Sequence, residues 1–164
     1  MSRNNFPEIL DLQKWSKENL SELELPLKWK TFFPKKNLLT WNDLWKEVFV
    51  LSLGDNHCLE DNFSCVFQGN NKIYLNKNFF LLSSKLKQQM IIFHELTHLV
   101  DKGNPHGHRF HVNKSGNLRE CDQLTDYGGY VLELDLLESL KKANKLDDKQ
   151  AVEMEKEILS HICT

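Results

Sequence analysis

Residues 90–100 read Met-Ile-Ile-Phe-His-Glu-Leu-Thr-His-Leu-Val, a stretch apolar nearly all round a helix that nevertheless carries two imidazoles and a carboxylate. A helix apolar on every side belongs in a protein interior, and polar groups taken there need partners. His94 and His98 are separated by about 400° of helical rotation and leave one face, while Glu95 is offset by about 100° and stands beside them. Any fold of this chain must bury the flanks of this helix and still give those three side chains something that satisfies them together. A single divalent cation does so. In a chain with seven histidines, coincidence would produce His-Glu-x-x-His roughly 0.02 times. On a helix this pattern binds zinc through its two histidines and places the glutamate as general base toward a water that the metal activates.

The remaining periodicity places that helix in an α+β fold, mostly helical with a small β-hairpin beside it. Ile9, Leu10, Leu12 and Trp15 predict a first helix over 7–19, with Pro7 suited to its first turn. Residues 20–37, interrupted by Pro26 and Pro34, read as an irregular wrap. Thr40-Trp41-Asn42-Asp43 resembles a capped start for a helix containing Leu44, Trp45, Val48 and Phe49 and stopping at Gly54. Alternation at Phe63, Cys65 and Phe67, turn residues at 68–71 and the run Lys72-Ile73-Tyr74-Leu75 predict the hairpin. Ser83 or Ser84 caps the helix over 85–102. A polar loop at 103–117, a long helix over 118–143, and a last helix capped by Asp147 or Asp148 and ending near Ile162 complete the order. At 164 residues, with about 100–200 per domain, 1–164 is a single domain.

Composition narrows the partners. The net charge is −2 with pI near 6.4, so no broad positive field gathers nucleic-acid phosphates. No apolar run approaches the ~20 residues of a membrane span. The first residues, Met1-Ser2-Arg3-Asn4-Asn5, do not open a signal peptide. Cys58, Cys65, Cys121 and Cys163 lack metal-type spacing and read as reduced thiols of a cytoplasmic monomer, with a Cys58–Cys65 bridge as the alternative if the chain is exported. Export without a classical signal, including delivery as a bacterial effector, fits the same features.

A catalytic zinc site takes a third protein ligand and keeps one position open. Three residues qualify. His106 opens His106-Gly107-His108-Arg109-Phe110, similar to an element of SprT-like proteases. Glu120 lies 120 − 98 = 22 residues past His98, a spacing similar to gluzincins. Asp126 is the choice: Asp122, Asp126 and Tyr130 at i, i+4 and i+8 form one polar stripe on the expected helix. Gly128 and Gly129, each costing a helix interior about 1 kcal/mol, suggest close backbone approach to another helix. The alternative is that the two glycines break the helix and leave Asp126 as a solvated cap.

Residues 73–130 resemble the core of the aspzincin metalloendopeptidases, the deuterolysin and peptidyl-Lys endopeptidase group. The resemblance rests on Ile73-Tyr74-Leu75 with Phe79-Phe80, on His94-Glu95-Leu96-Thr97-His98, and on Thr125-Asp126-Tyr127-Gly128-Gly129-Tyr130. It implies a zincin-like fold, with zinc held by His94, His98 and Asp126, Glu95 as base, and Tyr130, or Tyr127 in another register, stabilising the transition state. The implied activity is zinc-dependent hydrolysis of peptide bonds in a protein or peptide substrate, with the strand at 72–75 offering an edge to which that substrate adds. Two alternatives stay open: a DNA-associated SprT-like protease ligating through His106, and a catalytically inactive zinc-binding regulator whose site is closed by a fourth ligand from His106, His108 or His111. Glu133, Asp135 and Glu138 either favour basic substrates or form a solvated face.

Overall fold

The computed structural model describes residues 7–34, 37–47, 51–53, 58, 62–66, 72–100, 109–112, 118–125 and 127–163. Helix α1, Pro7–Leu20, buries Ile9, Leu12, Ser16 and Leu20; of the expected apolar positions Ile9 and Leu12 face the core, Trp15 is half-buried and Leu10 is exposed. The supposed wrap contains a short helix, α2 (Leu27–Phe32), entered through Pro26 and burying Trp29 and Phe32. The capped segment at Thr40 is a 3-10 turn, Trp41–Lys46, with Asp43 accepting from the Thr40 N–H at 2.9 Å. It is shorter than expected because the chain re-enters as a strand, β1 (Leu51–Leu53); Val48, Phe49 and Gly54 lie outside the described residues.

β2 (Ser64–Val66) and β3 (Ile73–Leu75) pair antiparallel with Ser64 opposite Leu75, which is the expected hairpin; its turn lies outside the described residues. β1 pairs parallel to β3, so the order is β1-β3-β2. This corrects the expectation of an edge at 72–75. β3 is the central strand with all three residues buried, and β1 and β2 are the edges, with β2 on the side of α4 that bears Glu95.

A short helix α3 (Lys77–Phe80) leads to α4 (Lys85–His98), whose N-cap Ser84 accepts from the Lys87 N–H. α4 is the central element, with Ile92, Phe93 and Leu96 fully or almost fully buried and with α1, β2, β3 and α5 packed around it. The polar loop contains a strand instead, β4 (Arg109–Val112), paired antiparallel with β5 (Leu118–Cys121). The long helix over 118–143 is therefore two elements: β5, and α5 (Gly129–Lys142), which starts at the glycine pair. Leu, Arg and Glu at 118–120 favour helix locally, and pairing with β4 overrides that preference. α6 (Asp148–Leu159) is capped by Asp147, whose side chain accepts from the Gln150 N–H at 2.9 Å, and packs on α5. Among the described residues no helix is long and apolar enough to cross a membrane.

The cysteines correct the expectation of free thiols. Cys58 pairs with Cys65 and Cys121 with Cys163, with Cα separations of 5.6 and 5.1 Å, inside the range disulfides require. The second bridge ties the C-terminal segment to β5 next to a backbone bridge between Asp122 and Ile162. It closes the longer loop, 42 residues against 7. Replacing Cys121 and Cys163 by Ala should cost about 4 kcal/mol, and replacing Cys58 and Cys65 about 2 kcal/mol, on loop-closure entropy. Urea unfolding of the two double variants without reductant measures the order, and a larger loss for the Cys58–Cys65 pair would contradict it.

Candidate active site

Five elements, β2, α4, β5, α5 and α6, meet at an open cleft of about 510 Å³ whose floor is α4. Lys87, Ile91, His94 and His98 fall at i, i+4, i+7 and i+11 and so form one face of that helix, and all four line the cleft. Glu95 flanks this stripe on the side of β2, where the Ser64 hydroxyl donates to Glu95 Oε1 at 2.7 Å. The expected constellation of His94, Glu95 and His98 thus faces one cavity, with the imidazole centroids of His94 and His98 5.4 Å apart.

His94 is only 8% exposed, and the wall that buries it is the first turn of α5. The Glu133 carboxylate accepts from His94 Nδ1–H at 2.7 Å. Such a bond fixes the tautomer and leaves Nε2, the opposite ring nitrogen, as the atom that could coordinate a metal. Tyr130 meets the same ring edge-on, with centroids 4.6 Å apart and planes at 80°.

The glycine pair makes this approach possible. A Cβ on Gly129 would collide with the His94 ring, and one on Gly128 with the Asp122 carboxylate. Close approach to another helix, the expected reason for the pair, is what Gly129 requires, whereas Gly128 makes room for a carboxylate of the segment leading into its own helix. Their place differs from expectation: Gly128 is the N-cap of α5 and Gly129 its first residue, so the helix starts at the pair. Asp122, Asp126 and Tyr130 therefore do not share one helix. Asp122 precedes α5, is 1% exposed, and accepts from the Tyr130 N–H at 2.9 Å. Its carboxylate satisfies one of the open donors at the helix start and sits favourably at the positive end of the helix dipole.

Tyr130 lies among carboxylates. Burial first, and then the negative charges of Glu133, Glu120, Asp122 and Glu95, push its phenol well above the usual tyrosine range. It therefore stays protonated and able to donate. On its other side the His161 ring stacks on it, with centroids 4.3 Å apart and planes at 12°, and His161 Nδ1 bonds the Glu120 carbonyl at 3.2 Å.

Of the three candidate third ligands, Glu120 lines the cleft, while Asp126 and His106 lie outside the described residues. Among the described residues no group of three or more His, Cys, Asp or Glu side chains is arranged to hold a metal ion. The donors present nevertheless suit zinc in kind: two imidazoles one turn apart, one of them oriented by a carboxylate, and a second carboxylate alongside. Tyr127 stands away from them, stacked on Phe32 with centroids 4.9 Å apart, which leaves Tyr130 as the tyrosine of the site.

Ser64, Glu133 and His161 carried no sequence signal strong enough to be singled out as site residues. Ser64 sits in a strand recognisable only by alternation, and His161 arrives from the C-terminal segment. In sequence Glu133 groups with Asp135 and Glu138, but the three separate in the structure. Asp135 pairs with Lys28 at 2.5 Å and Glu138 with Lys142 at 2.8 Å, and only Glu133 enters the cleft. Comparison with protein-family models, with characterised proteins and with solved structures finds no match.

Gly129→Ala tests the close approach. Its methyl group should force α5 away from His94 and lower stability by about 1–3 kcal/mol, the range for overpacking. Thermal unfolding measures this, and a variant as stable as the parent would show that α5 has room to spare.

Proposed function

We propose that this chain is a zinc-dependent endopeptidase of the HExxH type. The observation that carries the reading is that His94, Glu95 and His98 all face one open cleft, with Glu95 held by a serine on an edge strand beside it. The resemblance to aspzincins supports the same reading, with His94, His98 and Asp126 holding the metal and Glu120 or His106 as alternatives for the third place. Zinc bound there supplies Lewis acidity toward a carbonyl oxygen and makes water a nucleophile near neutral pH.

The chain's own groups divide the remaining work. A substrate in extended form adds to the β2 edge, main chain to main chain, which lays it across the mouth of the cleft above α4. Glu95 takes the proton of the attacking water at a carboxylate oxygen and returns it to the leaving amine. The hydrogen bond from Ser64 fixes the position of that carboxylate. Tyr130, kept protonated by its surroundings, donates to the oxygen on which charge develops. Glu133 holds the His94 ring in one orientation.

The two disulfides support an oxidising destination, and therefore export of the chain in preference to a cytoplasmic role. Delivery as an effector is one form such export takes.

Glu95→Gln should retain one zinc per chain and lose casein cleavage by about 10²- to 10⁴-fold, whereas His94→Ala and His98→Ala should lose the metal. Elemental analysis and a fluorescent casein assay read both. Full activity in Glu95→Gln would remove that residue from the chemistry. In the same assay, zinc lost in Asp126→Ala but kept in Glu120→Ala assigns the third ligand as proposed, and the opposite result transfers it to Glu120.

A further inference from the structure

The stripe of α4 that bears the two histidines continues toward the helix N-terminus, and there its chemistry changes. From His98 back to Lys87 is 98 − 87 = 11 residues, about 16 Å of helix at 1.5 Å per residue, enough for about five residues of an extended peptide. One turn before His94 the stripe presents Ile91, and Met90 stands on the flank away from Glu95. α6 faces this stretch with Met154 and Ile158. The far end is closed by an ion pair in which Lys87 Nζ lies 2.9 and 3.2 Å from the two carboxylate oxygens of Glu157. The charges at that end thus neutralise one another, and between them and His94 the lining is Ile91, Met154 and Ile158, with Met90 at its edge.

We propose that this compartment is the side-chain subsite that sets cleavage preference, and that it takes an apolar residue of the leucine, methionine or phenylalanine class adjoining the cut bond. The inference rests on the peptidase reading and adds its substrate class. The compartment lies one helical turn, about 5.4 Å, from the histidine beside the proposed general base, which is the reach of a side chain on the residue next to the cleaved bond. Its occupant is apolar because, among the described residues, the side chains between Ile91 and Ile158 are hydrocarbon or thioether and give a charge no partner, so a charge seated against them loses water without compensation. The unbranched thioethers of Met90 and Met154 adapt to side chains of different shape, so the preference is for a class and not for one residue. Basic residues, which the acidic side chains of α5 suggested from sequence, meet no carboxylate in this compartment that is not already engaged, among the described residues: Asp135 and Glu138 are paired elsewhere, Glu133 is bound to His94, and Glu157 is held by Lys87.

The test is the cleavage map of unfolded casein digested by the full, zinc-loaded chain and read by mass spectrometry. Most cuts should adjoin Leu, Ile, Met or Phe on the same side of the bond. Met154→Glu, at a half-buried position, should lower kcat/KM for such sites about tenfold, the order of effect of a poorly filled or polar pocket, and shift the remaining cuts toward Lys and Arg. Cuts without regard to neighbour, cuts beside Lys or Arg in the parent, or an unchanged map in Met154→Glu would each overturn the subsite and leave the peptidase reading intact. A binding arm does not depend on turnover. Glu95→Gln protein is titrated with two fluorescein-labelled alanine octapeptides that differ in one central residue, leucine or lysine. About tenfold tighter binding of the leucine peptide supports the subsite, and equal binding overturns it. No cleavage by the zinc-loaded parent would overturn the peptidase reading separately.

Discussion

The contact on which the site depends is that between the start of α5 and the His94 ring. Two residues without side chains allow a helix to begin against an imidazole on one side and a buried carboxylate on the other. Burying the Asp122 charge costs several kcal/mol in desolvation. The Tyr130 N–H and the helix dipole offset part of that cost, so the same carboxylate that would destabilise an isolated pocket fixes where α5 starts. Once that start is fixed, helical geometry sets the rest. Tyr130 follows at the second position and meets His94 edge-on. Glu133 follows one turn later and reaches Nδ1.

The walls facing this contact are built from elements too small to hold themselves. The strands have three or four residues, and isolated two-stranded ribbons are marginal in water. Each sheet is reinforced at one strand, next to a cleft residue. Cys65 is bridged to Cys58 and adjoins Ser64, which holds Glu95. Cys121 is bridged to Cys163 between Glu120 and Asp122, and the backbone bonds from Asp122 to the C-terminal segment bring His161 onto Tyr130. Covalent reinforcement is therefore placed at the rim of the cleft, while the floor, α4, is held by ordinary burial of Ile92, Phe93 and Leu96.

What could be read from sequence were the features set within one element. The extent of α1, the Ser84 cap of α4, the Asp147 cap of α6 and the shared face of His94 and His98 all follow from periodicity and local hydrogen bonding. What escaped were features created by pairing between distant segments. Residues 118–121 carry a helical composition and become strand because 109–112 lies beside them. Leu51–Leu53 becomes a strand through its parallel partner Ile73–Leu75. The i, i+4, i+8 spacing of Asp122, Asp126 and Tyr130 implied a single stripe only while one helix was assumed. With the helix beginning at Gly129, Asp122 turns from a supposed stripe member into the group that anchors the helix start. The glycine pair signals close packing, which Gly129 makes against α4, but composition does not show at which end of a helix the approach occurs, and here it is the start.

The carboxylates around Tyr130 explain why so acidic a pocket can exist without repelling itself open. Each is engaged differently: Asp122 by a backbone N–H, Glu133 by an imidazole N–H, Glu95 by a hydroxyl, and Glu120 by exposure to solvent. Neutral donors satisfy hydrogen bonds but do not cancel charge, so these groups together still present a negative field to the centre of the cleft. That field disfavours a phenolate on Tyr130 and favours a cation near the histidines. The two effects have one origin and act in the same sense: the arrangement that would favour a divalent ion at the imidazoles also keeps the neighbouring tyrosine a donor. A bound cation would in turn weaken the field at Tyr130, so the strength of that donor is set jointly by the carboxylates of the wall and by the occupant of the imidazole pair.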